Sequence, residues 1–205
     1  MRGKFIAFEG ADGSGKSTVI NAMFKEFHRN TEVVREPGFT DVGEAIRDIL
    51  LNRDLDICPK TEALLMASSR AELVNSYIIP RLNEGYNIFS DRYVLSSLVY
   101  QGISRNLGIN EIREINNFAT SGLKTDLIIF LDIDYETQLR RREERKTSDR
   151  IEKEDAKFHK SVIDGYKKIY DLFKDEYNIV KVDATKSLDQ VIEICKKHII
   201  EIGGK

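Results

Sequence analysis

The chain has little cysteine and almost no net charge, and both shortages limit what it can be. Its 205 residues include two cysteines, Cys58 and Cys195, which lie far apart in the sequence and have no metal-ligand spacing. This argues against a disulfide framework and favours reduced thiols in a cytosolic compartment. The formal net charge of -2 gives no electrostatic footprint for nucleic acid. A bound polyanion must therefore be met by a local cluster of cations.

Long apolar runs are missing too. The start of the chain leads through a short apolar strand to Glu9, which leaves too few apolar residues for a signal-peptide core. No run is long enough to span a bilayer. We therefore expect a soluble, cytoplasmic protein without a membrane or nucleic-acid partner. The length and the 41% hydrophobic content predict one domain over residues 1–205.

Short apolar segments alternate with helical patterns along the whole chain. This alternation predicts an α/β fold of the P-loop NTPase type, with a five-stranded parallel sheet between layers of helices. Pro80 is expected to bend or shorten the third helix. The predicted strands are 5–8, 31–35, 87–90, 127–133 and 178–183. The predicted helices are 17–29, 43–51, 59–84, 95–101, 110–120, 135–145, 151–173 and 188–202.

A glycine-rich segment between the first strand and the first helix matches the pattern G-x-x-x-x-G-K-[ST]. Glycines let successive backbone N–H groups turn onto a phosphate, and the following helix adds its positive end. Lys16 is predicted to bind the β- and γ-phosphates of ATP, and Ser17 to bind Mg²⁺. The predicted ATP-binding residues are Gly10, Ala11, Asp12, Gly13, Ser14, Gly15, Lys16, Ser17 and Thr18.

An acid and a base stand side by side after the third predicted strand. Asp91 is suited to hold Mg²⁺ through water, and Arg92 can fork across two phosphates. The three histidines, His28, His159 and His198, lie far apart and are not arranged as metal ligands. The metal we expect is therefore the Mg²⁺ that accompanies ATP.

Further motifs follow in order along the chain and narrow the class. They are Arg35–Gly38, Glu62–Arg70, Ser96–Gly102, Asp149–Glu152 and the pairs Phe158-His159 and Gly165-Tyr166. Together with the glycine-rich segment they resemble the bacterial thymidylate kinases over essentially the whole chain. The resemblance implies transfer of the γ-phosphoryl group of ATP to dTMP and a homodimer formed by helices from the first half of the chain.

The resemblance also implies roles for residues around dTMP. Asp12 would accept from the 3′-hydroxyl, and Arg47 and Arg92 would hold the phosphate. Tyr100 would fill the space that a 2′-hydroxyl needs. The base would be met by Pro37 at its 5-methyl group, by Arg70 at O4 and by Gln101 or Ser97 at N3.

Two positions depart from the family pattern. The family usually presents phenylalanine, which stacks on thymine, where this chain has Met66. A methionine can lie on an aromatic face but is flexible. Phe39 replaces the second glycine after the Glu-Pro pair and is an alternative source of a ring, or a packing residue.

The segment 140–152 is rich in arginine and corresponds to the lid of nucleotide kinases. Lid closure brings cations to the migrating phosphoryl group and excludes water. The phosphate loop has no arginine or lysine at its variable positions, which resembles the family members in which the lid supplies the catalytic arginine. Arg150 is the first candidate, followed by Arg142 or Arg145; the predicted catalytic set is Lys16, Asp91, Arg92 and Arg150.

Two other functions remain open. The chain could phosphorylate another nucleotide, such as dUMP, dCMP or dGMP, because Met66 and Phe39 alter the base pocket. It could instead be a P-loop regulator that does not turn over a second substrate. A GTPase would need an Asn-Lys-x-Asp motif after the fourth strand, and 131–134 reads Leu-Asp-Ile-Asp.

Overall fold

The computed structural model describes residues 2–143 and 149–203. The strands in these residues are β1 (Phe5–Glu9), β2 (Thr31–Arg35), β3 (Asn87–Asp91), β4 (Leu127–Asp132) and β5 (Ile179–Asp183). They form one sheet in the order β2-β3-β1-β4-β5, and every pairing is parallel. The predicted fold class is confirmed.

Helices cover both faces of this sheet. Alternate residues of β1 belong to different apolar clusters: Phe5 and Ala7 pack on one side, Ile6 and Phe8 on the other. This two-sided burial explains the unbroken apolar sequence of the central strands. The helices are α1 (Lys16–Glu26), α2 (Asp41–Leu51), α3 (Pro59–Leu73), α4 (Ile79–Asn83), α5 (Val94–Ser97), α6 (Ile109–Ala119), α7 (Tyr135–Glu143), α8 (Ala156–Phe173) and α9 (Leu188–Glu201).

Two predicted α-helices contain π-helical turns. The long helix predicted over 59–84 is α3 followed by a π-helical segment, Val74–Ile78, and then α4. Pro80 is the second residue of α4, which follows directly on the π-helical segment, so the change in helix type lies next to the proline. The helix predicted over 95–101 is α5 followed by a π-helical segment, Leu98–Ser104.

The predicted start of the helix at residue 151 is wrong. α8 begins at Ala156, because the carboxylate of Asp155 accepts a hydrogen bond of 2.7 Å from Phe158 N and caps the helix there. The preceding residues form a turn in which Asp149 accepts from the backbone N–H groups of Glu152 and Lys153. Residues 149–152 are consequently free to approach the sheet edge instead of continuing a helix.

Strand register brings the polar motifs together. Phe8 of β1 pairs with Asp91 of β3, and Arg35 of β2 pairs with the same Asp91. The segments that follow these three strands therefore meet at one edge of the sheet, where ligands bind in such folds.

Across residues 2–143 and 149–203, no helix combines the length and the apolar character needed to cross a membrane.

Candidate active site

The glycine-rich segment connects β1 to α1. Gly10 has φ +144°, and a Cβ there would lie 2.6 Å from the carbonyl oxygen of Leu131, so only glycine fits between the two strands. Gly15 caps α1 in a left-handed conformation with φ 88°. The backbone conformations at residues 10 and 15 therefore explain the two glycines that the sequence pattern has before Lys16.

Lys16 lies on this loop and is buried. Its Nζ donates to the carbonyl oxygens of Gly10 at 2.9 Å and Ala11 at 3.3 Å. Burial, assisted by the positive charge of Arg92, lowers the pKa of Lys16 to about 8, although Asp91, Asp12 and Glu9 oppose the shift. The ammonium is thus held over the loop and only partly compensated by neighbouring carboxylates.

Ser17 and Asp91, the two residues predicted to hold Mg²⁺, lie next to each other. The Ser17 hydroxyl donates to Asp91 Oδ2 at 3.2 Å, and the contact is exposed. A hydroxyl and a carboxylate suit Mg²⁺, which keeps several waters and takes its other ligands from substrate phosphates. Within the described part of the chain there is no group of three or more His, Cys, Asp or Glu that could hold a metal ion.

A cavity of about 210 Å³ opens beside the phosphate loop. Every residue that the sequence assigned to dTMP lines it: Asp12, Pro37, Arg47, Met66, Arg70, Arg92, Ser97, Tyr100 and Gln101. These residues come from the phosphate loop, from the segments after β2 and β3, from α2 and α3, and from the π-helical segment Leu98–Ser104. Thr18, which the sequence assigned to ATP, is an exposed residue of α1 and does not line this cavity.

Arg92 crosses one end of the cavity, where acidic and hydroxyl groups surround it. Its Nη2 bonds with Asp12 and donates to the Tyr100 hydroxyl at 3.3 Å. Tyr100 in turn donates to Asp12 Oδ2 at 3.2 Å. Burial alone would raise the pKa of Asp12, but the charges of Arg92 and Lys16 outweigh it and hold this pKa at about 2. Asp12 is therefore an ionised acceptor.

Arg70 forms the opposite wall, and its guanidinium is held by several elements. Its Nε donates to Glu36 Oε2 at 2.6 Å, and its Nη2 to the carbonyl oxygen of Tyr93 at 3.0 Å. Its Nη1 donates to the Ser97 hydroxyl at 2.8 Å and bonds with Asn116 on α6. Burial raises the pKa of Glu36, although Arg70 opposes this, and among the described residues Glu36 Oε1 has no hydrogen-bond partner.

Of the two candidates for stacking on a base, Met66 is the one that lines the cavity. The ring of Phe39 packs edge-on against Tyr77, with 4.7 Å between the ring centroids. Phe39 therefore has a packing partner outside the cavity wall.

Arg150 is held beside the cavity by Glu62. Its Nη2 donates to Glu62 Oε2 at 2.7 Å, and its Nε to the carbonyl oxygen of Leu50 at the end of α2 at 2.8 Å. Glu62 also accepts from Gln101 and Arg105. Burial disfavours its charge, yet the hydrogen bonds from Arg105, Gln101 and Arg150 together lower the pKa of Glu62. The side chain of Arg142 and all of Arg145 lie outside the described residues.

Comparison with known proteins agrees with this geometry. The sequence profile of the family described as thymidylate kinase matches residues 8–194. A thymidylate kinase of Finegoldia magna is 44% identical over 93% of this chain and 95% of its own length. Those of Lactobacillus helveticus and Thermoanaerobacter sp. are also 44% identical, over 98% and 97% of this chain and the whole of theirs.

The chain belongs to the thymidylate kinase family.

Some residues of this family member's cavity were not predicted from its sequence. They are Arg35, Glu36, Leu51, Ser96, Asp149, Ile151 and Glu152. All but Leu51 lie within motifs that the sequence singled out, so membership of a motif was the available signal.

Arg141 of α7 was also missed. It donates to the carbonyl oxygens of Gly13 at 3.1 Å and Ala184 at 3.0 Å and so ties α7 to the phosphate loop. No spacing in the sequence distinguishes it from the neighbouring arginines.

Proposed function

We propose that this chain is a thymidylate kinase that transfers the γ-phosphoryl group of ATP to dTMP, giving dTDP and ADP. One observation carries the proposal: the nine residues assigned to dTMP from the sequence line a single cavity, and that cavity shares Asp12 with the phosphate loop. Donor and acceptor sites are therefore adjacent, as phosphoryl transfer requires. Membership of the thymidylate kinase family supports the same reaction.

ATP would lie with its phosphates on residues 10–17. Lys16 would leave the carbonyl oxygens of Gly10 and Ala11 for the β- and γ-phosphates, where its charge is better compensated. Ser17 and Asp91 would hold Mg²⁺, whose charge offsets that of the phosphates.

The dTMP phosphate would lie between Arg47 and Arg92, the two arginines at the loop end of the cavity that the sequence assigned to it. A phosphate oxygen of dTMP would form a bond to the γ-phosphorus while the bond from that phosphorus to the bridging oxygen breaks, with ADP as the leaving group. The main contribution of the protein is to place the two groups in line and to neutralise their charge. Asp12, ionised and bonded to Arg92 and Tyr100, would accept from the 3′-hydroxyl of the sugar, and the Tyr100 ring beside it would exclude a 2′-hydroxyl.

Thymine would lie toward Arg70. The network of Glu36, Ser97 and Asn116 fixes this guanidinium, so a base must fit a rigid wall. Gln101 or Ser97 would meet N3, Pro37 would border the 5-methyl group, and Met66 would cover the ring. Because the protein's own hydrogen bonds hold this wall in place, a base of a different shape would meet a surface that does not adjust to it.

The lid, residues 140–152, would complete the site. We propose Arg150 as its catalytic arginine. On lid closure the guanidinium of Arg150 would have to leave Glu62 and bind the phosphates instead. Arg142 and Arg145 are the alternatives. The functional unit is proposed to be a homodimer.

Release of ADP, measured with a panel of nucleoside monophosphates, tests the proposal. We expect dTMP to be phosphorylated much faster than dCMP, dGMP or ribothymidine monophosphate, and Lys16→Ala to abolish transfer. A preference for another monophosphate would overturn the substrate, and the absence of turnover with every one would favour a regulator.

A further inference from the structure

The residues surrounding Arg92 include three whose role the proposed reaction does not use. Glu9 is the last residue of β1 and immediately precedes the phosphate loop, Ser96 is in α5, and Tyr166 is in α8. All three are buried, and Glu9 is fully inaccessible. A carboxylate placed in the core at this cost requires several hydrogen-bond donors.

Those donors are present. Glu9 Oε2 accepts from the Ser96 hydroxyl at 2.6 Å and from the Tyr166 hydroxyl at 3.1 Å. Glu9 Oε1 accepts from the backbone N–H groups of Tyr93 at 2.8 Å and Ser96 at 3.2 Å. The two hydroxyl oxygens are also 2.8 Å from each other.

The same two hydroxyls accept from the guanidinium of Arg92. Its Nη1 lies 3.1 Å from the Ser96 oxygen and 3.1 Å from the Tyr166 oxygen, and it also donates to the carbonyl oxygen of Gly10 at 3.0 Å. A hydroxyl has one hydrogen and two lone pairs. When Ser96 and Tyr166 donate toward Glu9, their lone pairs are left for Arg92. Glu9 thereby fixes which way both hydroxyls face.

The backbone of Arg92 is also fixed by hydrogen bonds. It has φ 76°, a conformation that side chains with a Cβ rarely adopt. Its N–H donates to the carbonyl oxygen of Phe8 at 3.0 Å, and its own carbonyl oxygen accepts from Ser90 at 2.6 Å. Nη1 is bonded to protein oxygens, and Nη2 is bonded to Asp12 and the Tyr100 hydroxyl, which line the cavity, so a phosphate in the cavity would meet the guanidinium on its Nη2 and Nε side.

From this arrangement we infer that Tyr166 and Ser96, oriented by the buried Glu9, are positioning residues that aim Arg92 at the phosphate of the acceptor nucleotide. The inference rests on the proposed function, in which Arg92 holds that phosphate. It also gives a role to Tyr166, which lies on the helix that follows the lid and is distant in sequence from the phosphate loop.

The test compares binding of dTMP with binding of thymidine, which has the same base and sugar but no phosphate. Affinities are measured by calorimetry for the full chain, for Tyr166→Phe and for Ser96→Ala. A hydrogen bond to a charged group supports an expectation of about tenfold weaker dTMP binding in each variant. Thymidine binding should change by less than about twofold, because the base and sugar contacts do not involve Arg92 Nη1. Equal weakening of both ligands would mean general damage to the cavity and would overturn the inference.

A double-mutant cycle supplies the second readout. In the Arg92→Lys background, Tyr166→Phe should have little further effect on dTMP affinity, because the group that it positions is already lost. Additive losses would contradict the positioning role. Tyr77→Phe is the matched control: it removes a hydroxyl that donates to Glu32 at 2.8 Å, away from the cavity, and should alter neither affinity.

These outcomes are distinguishable from failure of the proposed function. A wild-type chain that does not phosphorylate dTMP would overturn the reaction. A wild-type chain that does, but whose Tyr166→Phe and Ser96→Ala variants both bind dTMP normally, would overturn the positioning role alone.

Discussion

At the scale of single residues, Met66 is proposed to cover the base. It lines the cavity while the ring of Phe39 packs on Tyr77, which supports the thioether as the group that would cover thymine. A stacked phenyl ring contributes about 0.5–1.5 kcal/mol beyond its buried area. A thioether recovers only part of that. We expect Met66→Phe to bind dTMP several-fold more tightly in a calorimetric titration.

Phe39→Ala is the companion variant and should leave dTMP affinity unchanged. Weaker binding in both variants would assign the stacking role to Phe39 and imply that a ring at residue 66 overpacks the cavity. No change in either would place the base elsewhere and would make thymidylate doubtful as the substrate.

The pKa of Lys16 leads to a prediction about pH. In the free protein this pKa is lowered to about 8, so the amine loses its charge as the pH rises through that value. The pH dependence of kcat/KM reports groups of the free enzyme. We expect kcat/KM for ATP to be level at about pH 7 and to fall toward tenfold per unit above about pH 8.

Asp12 does not contribute to this fall, because its pKa of about 2 keeps it ionised throughout. Lys16→Arg is the control: its guanidinium stays charged, so whatever activity it retains should not fall in the same range. A wild-type profile that is level up to about pH 9.5 would show that Lys16 keeps an ordinary pKa.

At the scale of elements, the proposed lid includes residues 149–152. Arg150 connects these residues to α3 through Glu62 and to the end of α2 through Leu50. If Arg150 moves to the phosphates on closure, its charge is needed mainly in the transition state. We then expect Arg150→Ala to lower kcat by more than about tenfold, with dTMP affinity changed by less than about threefold.

Arg150→Lys keeps the charge and should recover part of the rate. If Arg150→Ala raises KM for dTMP at unchanged kcat, Arg150 is not the catalytic arginine. That result would mean that Arg150 holds residues 149–152 over the cavity through Glu62, and that another lid arginine serves the reaction.

The elements also show what the sequence could and could not predict. The central strands β1 and β4 were predictable because buried parallel strands are apolar runs, and the phosphate loop was predictable because glycine and lysine there have no substitute. The residues after the strands were predictable as one site because parallel strands end at one edge.

Contacts across elements were not predictable in the same way. Glu62 and Glu36 carry no pattern that reveals the arginines they hold, since Arg105, Arg150 and Arg70 reach them from other parts of the chain. The start of α8 was misplaced because the capping Asp155 stands in a run of charged residues where helical periodicity is weak. The π-helical segments depend on packing, which local propensity does not describe.

At the scale of the whole molecule, α3 and α6 pack against each other and expose apolar side chains. Phe118 of α6 is 90% exposed and Leu64 of α3 is 56% exposed. A phenylalanine this open to water is costly unless another surface covers it. Leu64 lies on a helix of the first half of the chain, where the homodimer interface is proposed, and α6 with Phe118 packs against that helix, so a second copy of the chain is the occupant we expect.

Phe118→Glu tests this expectation by placing a charge in the proposed interface. An unpaired carboxylate there loses the apolar contact and must be desolvated, so the dimer should dissociate to monomer in analytical ultracentrifugation. Leu172→Glu is the matched control, because Leu172 is 56% exposed on α8 and its replacement should leave the dimer intact.

The monomer should also bind dTMP more weakly, since α6 supplies Asn116, which bonds with Arg70 at the base end of the cavity. A wild-type monomer, or a Phe118→Glu dimer as stable as the wild type, would mean that this face is not the interface.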